Sequence, residues 1–123
     1  MKQIINLTQH NASKEQIDEN VINLSENDLN EVKKLLTINK GDNNLKERAN
    51  EIVKIAKSYN VDKAMIGGAP FFMNILIEAL KQANIEPFFA FSERVSVEVD
   101  GVKKSVFKHC GWYNTKGEYR ERI

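Results

Sequence analysis

IEPFFAFSERVSVEV, residues 85–99, is dense in aromatic and β-branched side chains, and its second half alternates: Val95, Val97 and Val99 stand against Ser96 and Glu98. A period of two over such residues is the pattern of a β-strand. Asp100-Gly101 follows, the dipeptide that best favours a two-residue hairpin turn. VKKSVFKHCGWY, residues 102–113, is therefore expected to return antiparallel. The turn length sets the register. Val99 falls opposite Val102, Glu98 opposite Lys103, Val95 opposite Val106, Arg94 opposite Phe107, Glu93 opposite Lys108 and Ser92 opposite His109. Two opposite-charge rungs support that alignment. One face then carries Phe91, Val95, Val97, Val106 and Cys110, and the other Ser92, Arg94, Ser96, Ser105 and His109. A bulge would shift this assignment. The polar face reads either as a solvated sheet surface or as a ligand site whose anion-binding group is Arg94.

Upstream, short apolar runs alternate with helical patterns. QIINL (3–7) reads as a buried strand, and VINL (21–24) and KAMIGG (63–68) as two more. Ser13 and Gln16 have the spacing of a capping box ahead of KEQIDEN, and Ser25 with Asp28 gives a second start signal. In LKERANEIVKIAKSY, Leu45, Ala49, Ile52, Val53 and Ala56 line one face and charges the other. A further helix is expected from Pro70 through PFFMNILIEALKQAN. Strands alternating with helices predict an α/β fold, a mainly parallel sheet covered by helices on both faces, with the antiparallel hairpin at its end. No linker or repeat divides the 123 residues, so one domain is expected, with a loosely held polar tail at 114–123.

Composition narrows the partners. A net charge of +1 carries no signature for long nucleic acid. No segment has the length of a membrane span, and MKQIINLTQHNAS has too short an apolar stretch for a signal peptide. The single cysteine, Cys110, cannot form an internal disulfide, which fits a reducing cytoplasm. One cysteine and two histidines make no zinc pattern, and neither a metal nor another cofactor is expected.

Candidate chemistry gathers where strands end. IGGAP (66–70) resembles a phosphate-binding turn: glycines admit a close backbone approach, and Ala69 stands where a capping side chain would be, leaving helix N–H groups open to an anion. Gly67, Gly68 and Ala69 are the residues concerned. The plain alternative is a tight strand–helix turn hydrated at the helix end. Thr8, Gln9, His10 and Asn11 follow the first strand and offer donors, acceptors and an imidazole, or a turn that satisfies its own backbone. Ligands in parallel sheets gather beyond the carboxyl ends of strands. His109 and Cys110 are neighbours on a strand and point to opposite faces, against a Cys–His nucleophile pair. GWY (111–113) is either a base-stacking surface, core, or a dimer surface.

The NLTQH…S.EQ opening and IGGAP, with the terminal hairpin, resemble small single-domain CRISPR-associated proteins with a CARF-like Rossmann fold, the group that includes stand-alone ring nucleases. The chain also looks like proteins of phages and mobile elements, in which a messenger sink would serve as counter-defence. The resemblance implies a cytoplasmic homodimer that binds a cyclic oligoadenylate or another nucleotide signal in antiviral defence. It further implies either metal-independent cleavage by the ribose 2′-hydroxyl or sequestration without turnover. A protein-interaction module without a small ligand is the remaining alternative. By position, the resemblance points to Thr8, Gln9 and His10 and to Gly67, Gly68 and Ala69. The resemblance assigns no single catalytic residue; the chain offers His10, Arg94 and His109, with Asn11 and Ser92 as further ligand contacts.

Overall fold

A computed structural model describes residues 3–123. The elements run β1 (Ile4–Asn6), α1 (Lys14–Asp18), β2 (Val21–Ile22), α2 (Glu26–Leu36), α3 (Leu45–Lys57), β3 (Lys63–Ile66), α4 (Pro70–Gln82), β4 (Glu86–Val99), β5 (Val102–Asn114) and β6 (Tyr119–Arg120). The helices start where the sequence places their caps. Ser13 and Gln16 form the reciprocal capping box of α1, and the Ser25 side chain accepts from the Asp28 N–H at α2. Asn20, Asn60 and Asn84 take positive φ angles beyond the ends of α1, α3 and α4. Asparagine tolerates that left-handed conformation, which turns the chain out of a helix.

The strands form one six-stranded mixed sheet in the order β2-β1-β3-β4-β5-β6. β1 lies parallel to both β2 and β3, and β3 parallel to β4. β4 and β5 are antiparallel, as are β5 and β6. The parallel block and the terminal hairpin are thus as expected.

Helix cover is unequal. Ile5, Leu7, Ala64 and Ile66 point into the main core, with Ile52 and Ala56 of α3 and Phe72 and Leu76 of α4. Ile4, Val21, Met65, Phe88 and Trp112 make a smaller cluster, with Ala12 and Ile123 packed on it. The short α1 approaches the sheet on this second side. Strand alternation assigns the two sets, and burial of the large residues of the main core drives closure of that face.

The hairpin register holds at every rung from Ser92–His109 to Val99–Val102. Asp100 and Gly101 both have positive φ, the type I′ requirement. A bulge interrupts the ladder next to Ser92: Phe91 pairs with Gly111, and Cys110 is the extra residue. Cys110 therefore has no rung beside Phe91. The bulge also lets His109 and Trp112, three apart, share one face. The tail departs from expectation. Tyr119 and Arg120 pair with Tyr113 and Trp112, and the Tyr119 hydroxyl donates to the Cys110 carbonyl at 3.1 Å. Tyr119 needs room over Gly111, where any Cβ would lie 2.7 Å from the Arg120 carbonyl oxygen.

Candidate functional site

The sheet grows from β1 outward to β2, then resumes on the other side of β1 with β3. Loops leaving the carboxyl ends of two strands at such a reversal diverge to opposite faces and leave a crevice between them. Here those loops are Thr8–Asn11 after β1 and Gly67–Gly68 after β3. A cavity of about 790 Å3 lies there, lined by both loops and by Ser92, Phe107 and His109 of the hairpin.

The β1 loop is held from below by Asn6, which is 3 % exposed. Its amide nitrogen donates to the His10 carbonyl at 2.7 Å and to Asn23 Oδ1 at 3.0 Å. Its carbonyl oxygen accepts from the Thr8 N–H at 2.9 Å and the Thr8 hydroxyl at 2.7 Å. Asn23 Oδ1 also accepts from the Ala12 N–H at 2.9 Å. A buried amide with every valence used is a rigid post. The loop backbone is thus fixed, while the side chains of Gln9, His10 and Asn11 stay exposed at the cavity.

At the β3 turn, α4 begins with Pro70 and has no side-chain cap. The Ala69 carbonyl accepts from the N–H groups of Phe72 and Met73 at 2.9 and 3.0 Å. Among the described residues, no acceptor meets the N–H of Gly68, Ala69 or Phe71. The two glycines differ. A Cβ on Gly67 would meet Thr8 Cγ2 at an ordinary 3.5 Å, whereas one on Gly68 would press on Met73 Cε at 3.1 Å.

His109 forms the wall on the hairpin side. Its side chain is 2 % exposed and its ring meets Trp112 edge-on, with centroids 4.8 Å apart. Gln16 Oε1 accepts from the Ser13 N–H at 2.9 Å, so the amide nitrogen faces His109 Nδ1 at 3.4 Å. That makes Nδ1 the acceptor and puts the ring proton on Nε2. Nε2 lies 3.1 Å from Glu19 Oε2, within ion-pair reach but off the line of a hydrogen bond. The other Glu19 oxygen accepts from Trp112 Nε1 at 3.2 Å. Trp112 is fully buried and belongs to the core, so it offers no stacking surface.

The structure brings Thr8, Gln9, His10, Asn11, Gly67, Gly68, Ser92 and His109 to one cavity; Ala69 and Arg94 do not line it. Arg94 sits one layer outward, its guanidinium 4.8 Å over the Phe107 ring and 3.4 Å from Ser105 Oγ. His109 is buried, with Nδ1 against the Gln16 amide and Nε2 beside Glu19, which leaves His10 as the exposed imidazole. Among the described residues, no Lys, Arg, Asp or Glu lines the cavity. Its polar groups are amides, hydroxyls, imidazoles and backbone, and Phe89 and Phe107 supply aromatic surface. Among the described residues, no three His, Cys, Asp or Glu side chains are grouped to hold a metal ion. No described helix is long and apolar enough to cross a membrane.

Sequence reasoning did not single out Asn6, Asn23, Glu19, Phe89 or Phe107. Asn6 had a signal, a lone amide ending an apolar strand. Phe107 was legible as the rung partner of Arg94. Glu19 had none, because its partners His109 and Trp112 lie ninety or more positions away.

The model of the Uncharacterized protein MJ1673 family matches residues 2–113. The chain belongs to that family. No curated protein and no solved structure matches it.

Proposed function

We propose that this member of the MJ1673 family binds a cyclic oligonucleotide messenger of the oligoadenylate type at the carboxyl-edge cavity. The observation that carries this reading is convergence: the β1 loop, the uncapped turn after β3 and the hairpin base meet in one cavity where the strand order reverses. Uncapped helix N–H groups suit a phosphate. The amides of Gln9 and Asn11 suit base edges, and Phe89 and Phe107 suit stacking. On this reading the fold is Rossmann-like, of the CARF type, and the protein acts in the cytoplasm, where such messengers are made.

In the cleaving form of the reading, a ribose 2′-oxygen attacks its neighbouring phosphorus and the bond to the 5′-oxygen breaks. A 2′,3′-cyclic phosphate and a 5′-hydroxyl result. His10 takes the 2′-hydroxyl proton, because its imidazole is exposed at the cavity while His109 is buried in the wall, and the departing 5′-oxygen takes up a proton from solvent water. Positioning of the ribose carries much of the rate. A second reading, sequestration without turnover, is favoured by one specific feature: among the described residues, no Lys or Arg side chain lines the cavity to stabilise charge developing on the phosphate.

Calorimetry with cyclic oligoadenylates of several ring sizes, and chromatography of the products, tests both. Gly67→Asp puts a carboxylate into the cavity at a position where a Cβ is tolerated, and should abolish binding. If the protein cleaves, His10→Ala should slow single-turnover cleavage about 10²- to 10⁴-fold with affinity within a few-fold. Retention of intact ligand by the wild type selects sequestration. No heat and no thermal stabilisation with any cyclic oligonucleotide would sink the binding reading.

A further inference from the structure

Phe107 is 70 % exposed, the most exposed large hydrophobic residue among those described, and yet it lines the cavity. Its rung partner on β4 is Arg94, whose guanidinium carbon stands 4.8 Å from the ring centroid. A cation at that distance over an aromatic ring is attracted by the ring quadrupole, so the two side chains hold each other in place on an open ribbon. Arg94 uses little of its donor capacity. One N–H reaches Ser105 Oγ at 3.4 Å, and among the described residues no carboxylate lies within ion-pair distance of it. On the same face, the neighbouring rungs carry Ser92 and the buried His109 toward the body, and Ser96 and Ser105 toward the turn. The next charges on this face are Glu98 and Lys103, which stand opposite each other one rung further out. An uncrowded surface therefore continues from the cavity along the ribbon, with one aromatic ring and one cation on it.

We propose that Phe107 and Arg94 form an outer subsite of the cavity for one nucleotide of an oligonucleotide, its base stacked on Phe107 and its phosphate held by the Arg94 guanidinium. The inference rests on the reading that the cavity binds a cyclic oligonucleotide, and it assigns one unit of that ligand to the ribbon. Charge carries the argument. The cavity offers neutral polar groups and backbone N–H donors, and among the described residues no Lys or Arg. A ligand with several phosphates needs a countercharge, and Arg94 stands on the same face one rung outward from Ser92 and His109 of the cavity wall. Phe107 joins the two, since it lines the cavity and carries the guanidinium. Its exposure is what remains with Arg94 in place, so a base has room on the ring. Stacking on an aromatic ring tolerates any base, whereas the guanidinium fork suits phosphate oxygens. The subsite therefore favours a nucleotide over a nucleoside, and a phosphate beside a base over phosphate alone.

Calorimetry of the full chain with cyclic tri-, tetra- and hexa-adenylate reads both residues. Against the ring that the wild type binds tightest, Arg94→Ala should weaken binding about 10- to 100-fold, the range for a hydrogen bond to a charged group. Phe107→Ala should weaken it about 5- to 100-fold, the range for one stacked base. Phe107→Tyr should keep wild-type affinity and Phe107→Leu should not, because leucine retains apolar area without a ring. Arg94→Lys should recover only part of the loss, since the charge returns without the planar fork. Both side chains act on one nucleotide, so the double alanine variant should lose less than the product of the two single losses. Both positions are exposed on the ribbon, so the circular dichroism spectrum and melting temperature should not change. Wild-type affinity in either alanine variant, full replacement of Phe107 by leucine, or independent losses in the double variant overturns the subsite and leaves the cavity reading standing. A wild type that binds none of the three rings removes the cavity reading, and the subsite falls with it.

Discussion

β4 and β5 pass without a break from the core into solvent, and the two ends of this one pair obey different rules. At the base, Phe88 and Trp112 are buried, Trp112 donates to Glu19, and β6 closes the edge. Along the ribbon, the ladder is equally regular, yet its residues from Ser92 to Lys108 are exposed or half-exposed. The base is held by side-chain burial against other elements. The ribbon is held by its turn and its rungs. Backbone pairing alone therefore says little about stability; what lies on each face decides it.

The sharpest way to break that distinction is a matched pair of truncations. Trp112→Ala should cost about 3–5 kcal/mol, the range for removing a buried large aromatic. Ser96→Ala on the ribbon should stay within about 0.5 kcal/mol. Urea denaturation monitored by circular dichroism measures both, and equal losses would erase the difference.

Gly111→Ala comes next. Its Cβ would press on the Tyr119 phenol and the Arg120 carbonyl, so β6 must shift. A cost of about 1–3 kcal/mol is expected for such overpacking, with faster amide exchange at Tyr119 and Arg120. Unchanged exchange would show that β6 does not depend on this close approach. Glu19→Ala should cost about 1–3 kcal/mol, the penalty of leaving the buried Trp112 N–H without an acceptor. Its signature is a changed indole environment in fluorescence, which no ribbon substitution should produce. On the ribbon, Glu98→Lys sets a lysine opposite Lys103 and should cost about 0.2–1 kcal/mol, a loss that salt reduces.

The smallest effect is pH-dependent and local to the edge. The Asn114 amide, followed by the Arg120 guanidinium, holds the Glu118 carboxyl below its ordinary pKa. That lowered pKa contributes stability present above the ordinary carboxylate value and lost as pH falls through the folded one. Desolvation, followed by the Glu121 charge, raises the Tyr119 phenol. Its contribution is present below the ordinary phenol value and lost as pH rises through the raised one. The β6 edge should therefore fray at acid and at strongly alkaline pH while the base remains. Tyr119 ring resonances followed against pH check this, and coincident loss of Trp112 packing would contradict it.

Much of this was legible from local chemistry. Helix starts at Ser13 and Ser25 rest on contacts three residues apart, and the hairpin register rests on a two-residue turn. The Gly67–Gly68 turn and the Thr8–Asn11 loop could be assigned to strand ends, because the strand–helix alternation says where strands stop. Three features needed the folded chain. The bulge at Cys110 changes which residues share a face with His109, and no local pattern announces it. The network of Gln16, Glu19, His109 and Trp112 joins α1 to β5 across most of the chain. The pairing of the polar tail as β6 depends on the space above Gly111. Caps, turns and strand periodicity are interactions between near neighbours, so the sequence by itself determined them. The cavity and the buried ring of His109 depend on which distant surfaces meet, and tertiary packing alone decided those.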